Sequence, residues 1–149
     1  MNNFKVFNTI NKPQKQEKEE IVNFLYQHLD EYGDTKSDIL KCLDFAVQDS
    51  ENALGGFALI LEENQEILGI TIINKTGMKG YIPENILVYI AVHNKARGKG
   101  VGKRLMNKAI ELADGDIALH VEPNNPAKKL YEKLGFENKY LEMRLKKQH

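Results

Sequence analysis

Ile86-Leu87-Val88-Tyr89-Ile90-Ala91-Val92 is apolar almost throughout, and Arg97-Gly98-Lys99-Gly100-Val101-Gly102 follows it after a short interval. The first run predicts a central strand covered on both faces, so helices must pack on its sheet. The glycines predict a turn into a helix carrying Val101, Leu105, Ala109, Leu112 and Ala113, stopped near Gly115. Three glycines within five positions leave main-chain N–H groups unshielded by side chains. The helix N-terminus behind them adds unpaired donors and the positive end of a dipole. That geometry suits phosphate. Lys95, Arg97, Lys99, Lys103, Arg104 and Lys108 surround it, and no acidic residue falls between Lys95 and Lys108. An anionic ligand is expected.

Working outward, the chain is built to the same plan. Downstream, Ile117 to Val121 reads as a strand, Ala127, Leu130, Tyr131 and Leu134 mark a helix with Gly135 as its left-handed stop, and Phe136 can fold back on the helix end. Leu141 to Leu145 alternates as a last strand should. Upstream, Phe4 to Phe7 is a short strand. Ile21, Phe24, Leu25, His28 and Leu29 recur at helical spacing between Pro13 and Gly33. A second helix carries Ile39, Leu43, Ala46 and Val47, capped by Ser37 or Asp38. Gly56 to Glu62 and Ile67 to Asn74 read as strands joined through Glu63-Asn64-Gln65. The layout is an α/β sheet covered by helices.

Composition bounds the function classes. A chain of 149 residues accommodates one domain, here 1–149, with a sizeable core. The 42% hydrophobic and 28% charged content is that of a folded chain. Lys+Arg and Asp+Glu both number 21, so charge alone gives no reason to expect nucleic acid or an anionic membrane. The single cysteine, Cys42, makes no internal disulfide and reads as helix packing, and Met1 to Lys5 lacks the apolar stretch expected of a secretion signal. A cytoplasmic location is expected. No apolar run approaches the roughly 20 residues that span a bilayer.

Spacing separates the competing phosphate loops. A P-loop ending in Gly102-Lys103 needs glycine where Arg97 stands and Ser or Thr where Arg104 stands. A dinucleotide fingerprint beginning at Gly98 or Gly100 needs glycine at Lys103 or Leu105. Both fail. What remains is Arg-x-x-Gly-x-Gly after a hydrophobic strand, followed by Asn124-x-x-Ala127-x-x-x-Tyr131-x-x-Leu134-Gly135-Phe136. From Ile86 to Phe136 the sequence resembles the GNAT superfamily of acyl-CoA-dependent N-acetyltransferases. Before Gly80 it matches only in the order of elements.

The resemblance implies a GNAT-like fold: a mixed, mostly antiparallel sheet of about six to seven strands flanked by about four helices. It implies that main-chain groups of Ile90, Ala91 and Val92 pair with the pantetheine arm, that Arg97, Gly98, Lys99, Gly100, Val101 and Gly102 hold the pyrophosphate, and that Asn124 also meets the arm. A peptide-like arm suits a splayed strand edge, because its amides are otherwise desolvated unpaired. An oxyanion would meet a main-chain N–H near Val92.

For chemistry, the resemblance places the acid that protonates the departing thiolate at Tyr131, whose phenol stays protonated at neutral pH. Helix spacing alone makes Tyr131 a core residue. His120, or water, is the candidate base; ribosomal-protein alanine acetyltransferases within the family carry glutamate at that strand position, and a hydrogen-bonded structural histidine is the equal alternative. Glu84 and Glu122 stand in reserve. No metal is expected. Glu17, Glu19, Glu20, Asp30, Glu31 and Asp34 give the first helices a sign that attracts a cationic amine, although a solvated helix face has the same composition.

The reading is therefore an N-acetyltransferase using acetyl-CoA as acetyl donor, with a primary amine of a small molecule or protein as acceptor. No nucleic-acid or membrane partner is expected, and a homodimer is left open. The alternative is a non-catalytic acyl-CoA-binding or sensing module.

Overall fold

The computed structural model describes residues 2–148; Met1 and His149, the ends of the expected domain, lie outside the described residues. The chain forms two compact units, one ending at Leu119 and one starting at His120. The first holds an open five-stranded sheet in the order β1-β2-β3-β4-β5: β1 (Asn2–Phe7), β2 (Gly56–Glu63), β3 (Glu66–Lys75), β4 (Asn85–Val92) and β5 (Ile117–Leu119). Neighbours are antiparallel except β4 and β5, which are parallel. A parallel pair needs a crossover, and α3 (Val101–Leu112) supplies it.

Helices α1 (Lys15–Leu29) and α2 (Lys36–Ala46) lie on one face. Their buried stripes, Ile21, Phe24 and Leu25 from α1 and Ile39, Leu43 and Ala46 from α2, join Ala58, Ile60, Ile70, Ile72, Tyr89 and Ala91 in one core. The three- and four-residue spacing aims each stripe at the sheet. On the other face α3 buries Val101, Leu105, Met106 and Ala109. Gly69 lets it approach, since a Cβ there would stand 2.5 Å from Leu105 Cδ1 and 3.1 Å from Val101 Cγ1.

The start signals work as local chemistry requires. The Gln14 N–H donates to Glu17 Oε1 at 2.8 Å at the head of α1. The cap of α2 is Thr35, whose hydroxyl accepts the Asp38 N–H at 3.2 Å, in place of the expected Ser37 or Asp38. Between β2 and β3, Asn64 and Gln65 both have positive φ, as a two-residue hairpin turn needs.

The central strand departs from expectation. Ile72 faces Tyr89 and Ile73 faces Leu87, so Val88 is an extra residue, a β-bulge. Val88 is exposed, and β4 is not covered evenly on both faces. β5 pairs only with Asn85, Ile86 and Leu87 and stops at Leu119, short of Val121, where the bulge interrupts the ladder.

The second unit contains α4 (Ala127–Lys133). Leu134 follows it and Gly135 takes φ +103°, the left-handed stop expected there. Phe136 folds back, donating its N–H to the Tyr131 carbonyl at 3.0 Å and setting its ring 6.0 Å from the Tyr131 ring. Leu141–Leu145 is not a strand: Leu141, Met143 and Leu145 are 85 to 91% exposed. Alternation supplies a face, but a strand exists through its hydrogen-bond ladder, and none forms here. Among the described residues the sheet therefore has five strands, not six to seven, in the same α/β class.

Candidate functional site

Main chain, more than side chains, builds the corner between β4 and α3. After Val92 the chain makes a 3-10 turn over Asn94–Ala96, then runs through Arg97–Gly100 into α3. Gly98 and Gly100 each take φ +80°, and a Cβ at either position would meet nothing within 4 Å. Conformation, not crowding, selects glycine at these positions. Gly100 is the cap of α3 and provides no capping side chain, so the first helical N–H groups receive no side-chain cap from it. Lys95, Lys99 and Lys103 are exposed around them. The donors, the dipole and the open space fit a diphosphate.

Within the first unit the structure brings together Ile90, Ala91, Val92 and the loop Arg97–Gly102. Ile90, Ala91 and Val92 pair with Thr71, Ile70 and Gly69 of β3, and no strand among the described residues pairs with their other edge. The Thr71 side chain is fully buried, and its hydroxyl donates to the Tyr89 carbonyl at 2.8 Å. The bond lies beside the bulge and satisfies an acceptor where the ladder is irregular.

Arg97 has a different employment from its neighbours. Its guanidinium donates to the His28 carbonyl at 2.8 Å and pairs with Asp30 at 3.5 Å, which ties the loop to the end of α1. His28 is buried and stacks on His93, two residues sequence reasoning did not connect. Their only signal was position, one ending a helix stripe and one directly following the central strand.

Two clefts adjoin these elements. One, of about 630 Å³, lies between the end of α1 and the start of α2 and is lined by Tyr26, Gln27, Asp30, Gly33, Asp34, Thr35 and Asp38. The Tyr89 hydroxyl donates to Asp34 Oδ2 at 2.6 Å. Burial, reinforced by Asp34, pushes the Tyr89 phenol well above its ordinary range. The second, about 370 Å³, opens beside the turn after β4, with Glu63 and Glu66 facing His93, Lys95, Lys99 and Arg104.

In the second unit, Tyr131 on α4 is buried, which pushes its phenol up to about 12. It is protonated throughout the neutral range. His120 is exposed and lies just beyond β5, so the strand alternation with Ala118 and Glu122 does not hold it. Asn124 is exposed in the turn before α4, and the neighbouring Asn125 side chain accepts the Ala127 N–H at 2.9 Å. Cys42 is buried and its thiol is pushed up to about 12 by that burial, in keeping with packing and not with a nucleophile. Among the described residues no group of three or more His, Cys, Asp or Glu is placed to hold a metal, and no helix is long and apolar enough to cross a membrane.

Residues 55–138 match the family model described as an acetyltransferase (GNAT) domain. No curated protein matches the sequence. Among solved structures, a transcriptional regulator from Bacillus halodurans C-125 superposes with a TM-score of 0.69 at 17% identity, covering 97% of this chain and 99% of that one. An aminoglycoside N-acetyltransferase in complex with CoA gives 0.69 at 16% identity over 100% of this chain and 97% of its own. An acetyl transferase from Pyrococcus furiosus, described as putative, gives 0.64 at 23% identity over 97% and 99%. These likenesses establish a shared fold across nearly the whole chain.

Proposed function

The chain belongs to the GNAT acetyltransferase family, and from that membership we propose that it transfers an acetyl group from acetyl-CoA directly to a primary amine. The observation that carries the reading is the left-handed glycine turn at Gly98 and Gly100, opening onto the uncapped N-terminus of α3 beside the half of β4 that has one strand neighbour. Residues 1–149 act as one acetyltransferase domain, a reading supported by solved structures that align over nearly all of it.

When bound, acetyl-CoA supplies the activated acetyl group as a thioester. Amides of Gly98, Lys99, Gly100, Val101 and Gly102 receive the diphosphate, with Lys99 adding charge. Arg97 serves the same end indirectly, since its guanidinium is committed to His28 and Asp30. Main-chain groups of Ile90, Ala91 and Val92, together with Asn124, receive the pantetheine amides. Tyr131 holds the proton that the leaving thiolate takes, a role supported by the sequence resemblance and by a phenol that burial keeps un-ionised. His120 or water takes the proton from the amine. Asp30, Asp34 and Asp38 line the larger cleft and favour a cationic acceptor. The location proposed is the cytoplasm, with neither nucleic acid nor membrane as partner.

The test is release of free CoA thiol from acetyl-CoA across a panel of polyamines, amino acids, aminoglycosides and peptide N-termini. Acceptor-dependent thiol release supports the reading. Tight CoA binding with no release on any acceptor would instead identify an acyl-CoA sensor, and absence of CoA binding would remove both.

A further inference from the structure

His28 and His93 bring two imidazoles together where the end of α1 meets the turn after β4. Their ring centroids are 4.3 Å apart with the planes tilted by 37°, and Phe24 lies 4.5 Å from His28. Each ring accepts a main-chain proton at Nδ1: the Asn94 N–H donates to His28 at 3.3 Å, and the Lys95 N–H donates to His93 at 3.1 Å. An Nδ1 that accepts carries no proton, so both rings are held as the neutral form protonated at Nε2. The two amides belong to the first residues of the 3-10 turn Asn94–Ala96, from which the glycine loop departs. Arg97 fastens the far end of that turn to the His28 carbonyl.

We propose that the His28–His93 pair is a latch that positions the loop Arg97–Gly102: with both rings neutral it fixes the turn in the shape that receives a CoA diphosphate, and protonation releases it. The proposal rests on the reading of the loop as the diphosphate cradle. An imidazolium is a donor at both nitrogens, so it gives up the amide it accepted and places a cation beside the other ring.

The surrounding charges set the direction. Arg97 and His93 oppose a charge on His28, while Asp30 and the Asn94 side chain favour one. The charged groups that line the smaller cleft with His93 are Lys95, Lys99 and Arg104 on one side and Glu63 and Glu66 on the other. Burial is the largest influence on His28 and lowers its pKa from the ordinary 6.5, with His93 and Arg97 acting in the same sense. A folded value below the unfolded one means that the latch is fully engaged above the unfolded pKa and is lost as pH falls through the folded one. Loop order is therefore an acid-side variable.

The test is calorimetric titration with CoA at about pH 7.5 and about pH 5.5, for wild type, His93→Asn, His28→Asn and the double Asn variant, with circular dichroism verifying each fold. Asparagine Oδ1 stands where Nδ1 stood and does not titrate, so the variants also control for ionisation of CoA's own phosphates. The wild type should lose about tenfold in affinity at the lower pH, and the double Asn variant less than about threefold. His93→Ala, which removes the acceptor, should bind weakly at both. A double Asn variant with the full wild-type acid loss, or an alanine variant with wild-type affinity, overturns the latch.

A second readout does not need CoA: the Asn94 and Lys95 amide resonances should shift together over the acid range. If they stay fixed while CoA binds, the latch fails and the cradle stands. If they shift but CoA does not bind at the higher pH, the latch stands and the diphosphate reading fails.

Discussion

Asn85, Ile86 and Leu87 of β4 have β3 on one side and β5 on the other, whereas from Val88 to Val92 the same strand has β3 as its only strand neighbour among the described residues. Apart from Asn85 both halves are apolar, and composition does not mark where one ends and the other begins. The bulge at Val88 does: the ladder with β5 ends there, the Tyr89 carbonyl beside it accepts the Thr71 hydroxyl, and the outer edge of the second half pairs with no strand among the described residues. Spare hydrogen-bonding capacity on a buried strand is costly without a partner, so a geometry that creates it points to a ligand that uses it. Under the proposed function the first half carries stability and the second carries binding.

The largest effect expected is on chemistry that neither half performs. Tyr131→Phe should lower turnover by about 100- to 10,000-fold while CoA affinity stays within about twofold. If affinity falls in step with turnover, Tyr131 belongs to binding, and the assignment of binding to main chain is broken. Leu87→Ala, in the first half and 4% exposed, should cost about 2–5 kcal/mol of unfolding free energy by denaturant titration, with little change in CoA affinity. A specific loss of affinity at full stability would erase the distinction between the halves.

Gly100→Val forces a β-branched residue into φ +80° and should weaken CoA binding about 100-fold, about 2.7 kcal/mol, with the fold retained by circular dichroism. Unchanged binding would detach the loop from the second half of β4. Thr71→Val leaves the Tyr89 carbonyl buried without its donor and should cost about 1–3 kcal/mol with a parallel loss in CoA affinity; Thr71→Ser should recover most of both. Equal damage from Ser and Val would mean that packing, not the bulge bond, is what Thr71 provides.

The smallest effect is a control distant from β4. Lys18 bridges Asp44 at 2.7 Å and Asp49 at 2.6 Å, and Lys18→Met should cost about 1 kcal/mol or less with CoA binding intact. The hydrogen bond from Lys18, then that from Lys12, holds the Asp49 carboxyl below its ordinary value. A depressed carboxyl contributes above its unfolded pKa and loses that contribution as pH falls through the folded one. The stability gap between wild type and Lys18→Met should accordingly close in acid.

Leu141–Leu145 and Phe4–Phe7 show where the sequence was and was not legible. Both alternate, yet only the second became a strand, because β2 offers it a ladder from Asn2 to Phe7. Helical stripes were read more securely: α1, α2, α3 and α4 lie where the three- and four-residue spacings put them, since each stripe is a local consequence of helix pitch. The glycine turn was legible for the same reason, as left-handed residues announce themselves in the sequence. His28 and His93 were not, being 65 positions apart with no periodicity joining them.

The order of elements from β1 to α4, most of the faces the helices bury and the position of the glycine turn are therefore properties of the sequence by itself, because each follows from backbone preferences acting over a few residues. The extra residue at Val88, the commitment of Arg97 to α1 and the meeting of two imidazoles above the turn were decided only by the tertiary structure. Each of these depends on which strand or helix becomes a neighbour, and contacts between distant segments form only when the whole core closes.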